Sequence, residues 1–238
     1  TSLFVSSTCF DLSQVRSDIR DFADSVGLDP ILSEFDAFPV NPNESTITNC
    51  LDVVRNRADI FLLVVGGRYG SIADTGKSVT NMEFNEACAK GIPKYVFIKE
   101  DILSLLPVWD ANKEADFSSV VDTPQLFEFI SEIRNSGEVW VFPFSNAQDI
   151  VRALRKQLSY LLSDCLDIRR RFHELDIDLT KLKPKALRLL IEKPKAWEYL
   201  LFAQLLKDSV RENKSKRLDV ELGISLGEPI SLADTKSV

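Results

Sequence analysis

Residues 60–93, IFLLVVGGRYGSIADTGKSVTNMEFNEACAKGIP, decide the fold of this chain. The first six of them, residues 60–65, are all apolar, which is typical of a central parallel strand that is covered on both faces. A loop with several glycines follows, and residues 82–90 predict a short helix that a glycine ends. This order places Thr80 and Glu83 near the carboxyl end of a strand, where parallel α/β sheets bind their ligands.

Strand and helix patterns alternate on both sides of this stretch. The second strand contains a proline, which makes it short or places it at an edge of the sheet. Strands that alternate with helices form parallel sheets, so we predict an α/β fold with a five-stranded, flavodoxin-like or TIR-like sheet of order 2-1-3-4-5. The predicted strands are 3–5, 28–32, 60–65, 95–98 and 139–144, and the helices between them are 13–26, 47–58, 82–90 and 124–135. Residues 101–119 are expected to form an irregular insertion that contains a short helix.

The rest of the chain predicts a C-terminal helical appendage. A long helix is expected from residue 147 to about 171, and helices that begin with proline follow at 184–192 and 194–210. We therefore divide the chain into an α/β domain, a helical appendage, and a linker or short hairpin toward a further module. These parts are residues 1–145, 146–217 and 218–238, and the start at Thr1 without a methionine favours a piece of a longer polypeptide.

Charge is distributed unevenly between the two halves of the chain. Residues 1–150 carry 23 acidic and 11 basic side chains, whereas residues 151–238 carry 13 acidic and 18 basic ones. Because the neutralisation of phosphates dominates nucleic-acid affinity, the acidic α/β domain is not expected to bind nucleic acid. For the basic part, two interpretations stay open: a surface that docks on the acidic domain or on a neighbouring subunit, or a solvated helix face.

Other residue counts exclude several classes of protein. No apolar run approaches the ~20 residues that cross a bilayer, so no membrane contact is expected. Cys9, Cys50, Cys88 and Cys165 form no CxxC pair, which favours a reduced cytoplasmic compartment. His173 is the only histidine, which argues against a zinc site and against a Ser-His-Asp site.

Four short segments resemble an uncharacterised TIR-like domain family that often precedes STAND-type NTPase modules in bacterial defence proteins and in some large eukaryotic proteins. The matching segments are FVSST at 4–8, the helix that contains Arg16 and Asp18, GGRYGS at 66–71 and TxxEF at 80–84. More distantly, residues 80–93 are similar to the signature of the nucleoside 2-deoxyribosyltransferases. Asn85 stands where those transferases carry a glycine, and Asp74 lies too far upstream to match their aspartate.

The resemblance implies a function and a catalytic residue. In the deoxyribosyltransferases, and in the wider group of TIR-like domains, a glutamate on the corresponding helix supports the cleavage of an N-glycosidic bond, so the resemblance implies that Glu83 is the catalytic carboxylate. The substrate implied is NAD or a related nucleotide, and the activity is that of an NAD glycohydrolase or nucleosidase without a cofactor. By the same resemblance, the domain acts in immune signalling or antiviral defence once a downstream sensor or NTPase module assembles several copies.

The ligand-binding candidates lie at the ends of the first and third strands. Hydroxyl groups there can bind ribose or phosphate, glycines let the backbone approach a ligand, and an arginine can pair with a phosphate. An aromatic ring can stack on a base or on nicotinamide. The candidates are Ser6, Ser7, Thr8, Phe35, Gly66, Gly67, Arg68, Tyr69 and Thr80, with no metal ligand among them.

The same residues also have a non-enzymatic explanation. The sequence Thr-Asn-Met-Glu at 80–83 is a capping box, with Thr80 as N-cap and Glu83 as its partner three residues on. The pair Gly66-Gly67 also suits a tight turn with positive φ, and Arg68 can pair with an acidic loop residue. In that case the domain is a non-catalytic module that self-associates or recruits a partner protein. The fold alone does not distinguish this module from an enzyme.

The loop before Glu83 contains an imperfect nucleotide-binding motif. Five residues separate Gly70 from the Gly-Lys-Ser of 76–78, whereas a P-loop has four at that place. The following helix is predicted to begin after Thr80 and not at the lysine. The sequence therefore disfavours nucleoside triphosphate hydrolysis.

Overall fold

The computed structural model describes residues 1–174 and two short strands, Glu221–Leu222 (β6) and Ile230–Ser231 (β7). The chain divides into two compact units, residues 1–157 and 158–238. In the second unit, β6 and β7 pair in antiparallel orientation. The helices predicted at 184–192 and 194–210 lie outside the described residues, as does most of the segment 218–238.

The first unit is built on a five-stranded parallel sheet. Its order is β2-β1-β3-β4-β5, and each neighbouring pair is parallel, which confirms the predicted α/β fold and strand order. The second strand does lie at an edge, as its proline indicated. The strands are β1 Ser2–Ser6, β2 Asp29–Ile31, β3 Ile60–Val65, β4 Lys94–Lys99 and β5 Val141–Phe144.

Within residues 1–174, six helices accompany the strands, and most begin or end within two residues of their predicted bounds. The helix that carries Glu83 begins three residues earlier than predicted. The short helix expected within the insertion at 101–119 is a helix of 12 residues that begins at residue 100 and has Pro107 inside it. The helices are α1 Ser13–Ser25, α2 Thr46–Arg57, α3 Val79–Lys90, α4 Glu100–Ala111, α5 Gln125–Ser136 and α6 Ala147–Glu174.

A chain of aromatic contacts fixes α3 against the sheet. Phe4 of β1 stacks on Phe61 of β3, with 5.7 Å between the ring centroids. Phe61 meets Phe84 of α3 at 6.4 Å, and Phe84 meets Phe129 of α5 edge-on at 6.0 Å. All four rings are buried, so the position of α3 is set by the hydrophobic core of the unit.

The register of β1 on β3 brings the ends of the two strands together. Leu3 pairs with Ile60 and Ser6 pairs with Leu63, so β1 ends beside the last residues of β3. All five residues of β1 and all six of β3 are buried. The loops that leave these two strands therefore meet at one edge of the sheet, at the switch point of the strand order.

Candidate functional site

A cavity of about 550 Å³ opens at this edge of the sheet. Its wall combines the loops that follow β1, β2 and β3 with the first turn of α3 and part of α2. Of the residues predicted from sequence, it brings together Ser7, Thr8, Arg68, Thr80 and Glu83. The cavity therefore lies where the strand order predicted a ligand site.

Glu83 is turned toward β1 and not toward the amino end of its own helix. The residue is only 6% exposed, and its Oε2 accepts a hydrogen bond from Ser6 Oγ at 2.5 Å. Ser6 is itself buried behind this carboxyl group. Ser6 therefore supports the candidate catalytic group, and it is not among the described residues that line the cavity.

The predicted capping box is wrong, because α3 begins at a different residue. Ser78 is the N-cap, and its Oγ accepts a hydrogen bond from the backbone N of Asn81 at 3.1 Å. A backbone bridge between Ile72 and Ser78 closes the preceding loop and brings Ser78 to the start of the helix. The helix therefore starts before Thr80, and the Glu83 side chain is not used to cap it.

The environment of Glu83 changes its acidity. Burial raises the pKa of Glu83 to about 7, although the hydrogen bond from Ser6, the charge of Arg16 and a hydrogen bond from Cys50 each act to lower it. Near neutral pH both protonation states of this carboxyl are therefore populated, as suits a group that stabilises positive charge or accepts a proton.

Cys50 on α2 is a second neighbour of Glu83 that the sequence did not indicate. Burial raises the pKa of the Cys50 thiol to about 12, and the charge of Glu83 and the hydrogen bond to it act in the same direction. The thiol therefore stays neutral and acts as a hydrogen-bond donor to Glu83, and it is unsuited to act as a nucleophile.

Arg16 is a buried residue of the cavity wall that donates hydrogen bonds to several neighbouring residues. The residue is 2% exposed, and its guanidinium binds both carboxylate oxygens of Glu34 in the loop after β2. It also donates to Ser7 Oγ at 2.7 Å and to the Val5 carbonyl at 3.2 Å. Arg16 thus links the loops after β1 and β2, and its charge favours the anionic form of Glu83.

Glu34 is kept ionised by its contact with Arg16. Burial acts to raise the pKa of Glu34, but the hydrogen bonds and the charge of Arg16 outweigh this effect, so the pKa lies below its ordinary value. A bidentate carboxylate–guanidinium pair of this kind fixes both side chains in one orientation.

Arg68 is placed to meet a ligand. Its side chain is 54% exposed, and its Nε lies 3.9 Å from Oδ2 of Asp122, which is too far for a hydrogen bond. Exposed ion pairs of such length contribute little to stability. The predicted acidic loop partner thus exists, but it leaves the guanidinium donors available to a ligand.

The two aromatic rings proposed for stacking do not face this cavity. Tyr69 is 5% exposed, and its ring packs edge-on against Phe129 in the core at 6.2 Å. Phe35 lies on a separate cavity of about 120 Å³, beneath the guanidinium of Arg20. Neither ring lies beside Glu83: the Tyr69 ring packs in the core, and the Phe35 ring lies next to β2.

Phe10 is the aromatic residue that does reach the cavity. It lies in the loop after β1, lines the cavity and is 86% exposed. Among the residues that the structure describes, no other aromatic side chain lines this cavity. Phe10 follows Thr8 by two residues, in the loop between β1 and α1. This position beside a predicted ligand-binding residue could have identified Phe10 as a candidate from the sequence.

The glycines after β3 have different roles from those predicted. Neither Gly66 nor Gly67 has a positive φ, so the tight-turn explanation is wrong for them, whereas Gly70 has a φ of 91° and lines the cavity. A Cβ on Gly67 would lie 2.7 Å from the carbonyl oxygen of Val120. Close approach of another loop therefore requires a glycine at position 67, and both Gly66 and Gly67 line a second cavity.

The Gly-Lys-Ser segment at 76–78 does not form a phosphate-binding loop. The backbone N of Ala73 donates a hydrogen bond to the Lys77 carbonyl at 2.9 Å, which closes the loop on itself. The Lys77 ammonium lies 3.8 Å from a carboxylate oxygen of Glu132. The segment is therefore a closed turn that ends at the helix cap.

Two further properties concern membranes and metals. Within the part of the chain that the structure describes, no helix is long and apolar enough to cross a bilayer. In the same residues, no group of three or more His, Cys, Asp or Glu side chains is arranged to hold a metal ion.

Comparison with known proteins places the chain in a family. Residues 2–159 match the family model described as a domain of unknown function, DUF4062. Since this match covers more than half of the chain, the chain belongs to that family. The matched residues include the whole parallel sheet and the first part of α6. No curated protein matches the chain.

Proposed function

We propose that this DUF4062 chain is a TIR-like effector that cleaves the N-glycosidic bond of NAD or of a related nucleotide, with Glu83 as the catalytic carboxylate. The observation that carries the proposal is the position of Glu83. Its carboxyl group lies in the wall of the switch-point cavity and bonds to Ser6 of a neighbouring strand. It is thus held in place by the core and is not used to cap its own helix.

The chemistry requires little beyond this carboxylate. When the bond between the anomeric carbon and the base breaks, its electron pair leaves with the base and the ribose gains oxocarbenium character, which a nearby anion stabilises. The pyridinium ring of NAD leaves as neutral nicotinamide, so no acid is needed to protonate it. Water then adds to the anomeric carbon and gives up its proton to Glu83 or to solvent.

The neighbours of Glu83 favour the form that this step needs. Ser6 and Cys50 donate hydrogen bonds to the carboxyl group, and Arg16 adds a positive charge that is buried nearby. Each of these contacts favours the anion, against the effect of burial. Ser7, Thr8 and Thr80 then supply hydroxyl groups from the same cavity wall for the ribose.

Assembly of several copies is the second part of the proposal. The resemblance to domains that precede STAND-type NTPase modules supports it, as does an apolar stripe on α6. Leu162 and Leu166 lie one helical turn apart and are 60% and 54% exposed. An exposed stripe of this kind favours contact with another protein surface, in the active enzyme or in a non-catalytic interaction module.

The test is incubation of the chain with NAD, alone and after forced oligomerisation through a fused dimerisation module, with nicotinamide release measured by chromatography. Glu83→Gln removes the anion and keeps the size of the side chain. Glu86→Gln, on the same helix, is the matched control. We expect product from the wild type and from Glu86→Gln, and none from Glu83→Gln. Absence of product from the oligomerised wild type would exclude NAD as the substrate.

A further inference from the structure

A second cavity, of about 410 Å³, adjoins the first at the carboxyl ends of the strands. The two cavities share Arg68 and Asp122, which form the wall between them. The second is also lined by Gly66 and Gly67 after β3, and by Lys99 at the end of β4. A ligand that is longer than one nucleoside can therefore extend from Glu83 across Arg68 into this second space.

The charges on the wall are mixed. Arg68 and Lys99 are the cations, and their side chains are 54% and 44% exposed. Lys99 lies 2.9 Å from Asp101, but both side chains of this pair are about half exposed, so the contact is weak and open to exchange. The two cations can therefore bind phosphate oxygens, one at the boundary between the cavities and one inside the second.

The anions on the same wall favour a ligand that has hydroxyl groups as well as phosphates. Oδ1 of Asp122 accepts a hydrogen bond from the backbone N of Tyr69 at 2.9 Å, whereas Oδ2 makes, among the residues that the structure describes, the long contact with Arg68. The exposed Ser118 and Ser119 also line this cavity. A carboxylate oxygen and hydroxyl groups are suitable partners for the diol of a ribose.

We infer that the second cavity binds the diphosphate and the distal ribose of a dinucleotide whose reacting ribose lies at Glu83. This inference rests on the proposed function and narrows its substrate class to dinucleotides. This wall has two cations, Arg68 and Lys99, and two carboxylates, Asp11 and Asp122, so it offers partners both for phosphate oxygens and for ribose hydroxyl groups. A nucleoside or mononucleotide would leave most of the second cavity empty.

Substrate length gives the first test. We expect kcat/KM to be about tenfold or more higher for NAD than for nicotinamide riboside, since each hydrogen bond to a charged group contributes a factor of this order. Lys99→Gln lowers kcat/KM for NAD by about tenfold and leaves nicotinamide riboside unchanged. Lys77→Gln is the matched control, because it makes the same charge change at a lysine outside both cavity walls.

A binding measurement separates this inference from the proposed catalysis. Calorimetry of Glu83→Gln with ADP-ribose and with ribose 5-phosphate requires no turnover. We expect ADP-ribose to bind about tenfold more tightly, and Lys99→Gln in the same background to remove that difference. If ADP-ribose binds in this way although the wild type releases no nicotinamide, the dinucleotide-binding role of the second cavity is supported and the proposed catalytic role of Glu83 is contradicted. If NAD is cleaved but Lys99→Gln changes neither kcat/KM nor ADP-ribose binding, the inference about the second cavity is overturned.

Discussion

Ser6 at the end of β1 donates a hydrogen bond to Glu83 on α3, although the two residues are 77 positions apart in the chain. Both side chains are buried, so the bond joins two elements of the core and forms in a region of low dielectric constant. It favours the ionised carboxyl group, whereas burial favours the neutral one and prevails. The pair therefore sets the pH at which Glu83 gains its negative charge.

Ser6→Ala is expected to move the pH profile of the proposed cleavage. The hydrogen bond from Ser6 lowers the pKa of Glu83, so its loss raises that pKa, and the anion forms only at higher pH. The pH of half-maximal kcat/KM should shift upward in a series of NAD cleavage assays between about pH 5 and pH 9. Ser104→Ala, at an exposed serine that bonds to its own helix, is the control. An unchanged midpoint in Ser6→Ala would argue against Glu83 as the titrating group.

Glu83→Gln is expected to stabilise the fold in a pH-dependent way. Because burial raises the folded-state pKa from 4.5 to about 7, the folded wild type holds a proton that the unfolded chain has already lost. Wild-type stability therefore falls as pH rises through this window, whereas a glutamine is insensitive to it. The free energy of unfolding of the variant relative to wild type should increase by about 2–3 kcal/mol between pH 4 and pH 8.

Urea denaturation at the two pH values measures this difference. Glu86→Gln is the control for the same exchange on the same helix, where the side chain pairs with Arg55. If the free energy of unfolding relative to wild type rises equally with pH in both variants, the effect does not come from the buried carboxyl group.

Glu34→Gln is expected to destabilise the fold, because it leaves the charge of Arg16 buried without its anionic partner. Glu34 is 31% exposed, which reduces the cost below that of a fully buried pair, to about 1–3 kcal/mol. Since the pKa of Glu34 is lowered, its contribution is present above the ordinary carboxyl range and is lost as pH falls below it. Urea denaturation at neutral and acidic pH checks both statements.

The matched control for this variant is Glu86→Gln. Its partner Arg55 is also bound through two nitrogens, but the arginine is 52% exposed. Exposed pairs of this kind contribute little to stability. A cost for Glu34→Gln no greater than that for Glu86→Gln would contradict the structural role of the buried Arg16.

Gly67→Ala and Gly66→Ala are expected to differ although the two residues are neighbours. A Cβ at Gly67 would lie 2.7 Å from a backbone oxygen of Val120, whereas one at Gly66 would lie 2.5 Å from the carboxylate of Asp11, which is the end of a flexible side chain. The clash at Gly67 moves a loop, at a cost of about 1–3 kcal/mol. At Gly66 a rotamer change moves the Asp11 carboxylate away, and the methyl groups of the buried Leu12, at 3.2 Å, need to give by only a few tenths of an ångström, so the cost is smaller. Thermal unfolding of both variants gives the comparison, and equal midpoints would show that the 117–122 loop adapts freely.

The sheet was predictable because its signals are local and strong. The six apolar residues of β3 indicated a central strand, and Pro30 indicated an edge strand, without any knowledge of the other elements. Alternation of strands and helices then left few orders for the sheet. The position of Glu83 beside the end of β1 follows from that order.

The details of the site were not predictable, because they depend on residues that are distant in sequence. Thr80 and Glu83 satisfy a capping-box pattern locally, but the bridge from Ile72 to Ser78 supplies a different cap. Tyr69 lies in a loop that leads to the cavity, yet a contact with Phe129 holds its ring in the core. Tertiary packing thus determines which residue caps α3 and which aromatic ring lines the cavity, and a local sequence pattern does not contain this information.

Phe10 is expected to stack on the leaving base of the substrate, which is the nicotinamide ring when the substrate is NAD. It lines the cavity beside Glu83 and is 86% exposed, so its ring is available to a ligand and contributes little to the core. Base–aromatic stacking is worth about 1–3 kcal/mol by alanine substitution, so Phe10→Ala should raise KM for NAD between about fivefold and a hundredfold. Its unfolding midpoint should stay close to that of the wild type.

Two further variants separate stacking from general apolar contact. Phe10→Trp keeps an aromatic face and should keep KM within about threefold, whereas Phe10→Leu keeps only apolar surface and should resemble the alanine variant. Trp140→Ala is the control, because Trp140 is 77% exposed and lies outside the cavity wall. If Phe10→Leu matches the wild type, the ring does not stack on the base. If Trp140→Ala raises KM as much as Phe10→Ala does, the loss reflects exposed aromatic surface in general and not the position beside Glu83.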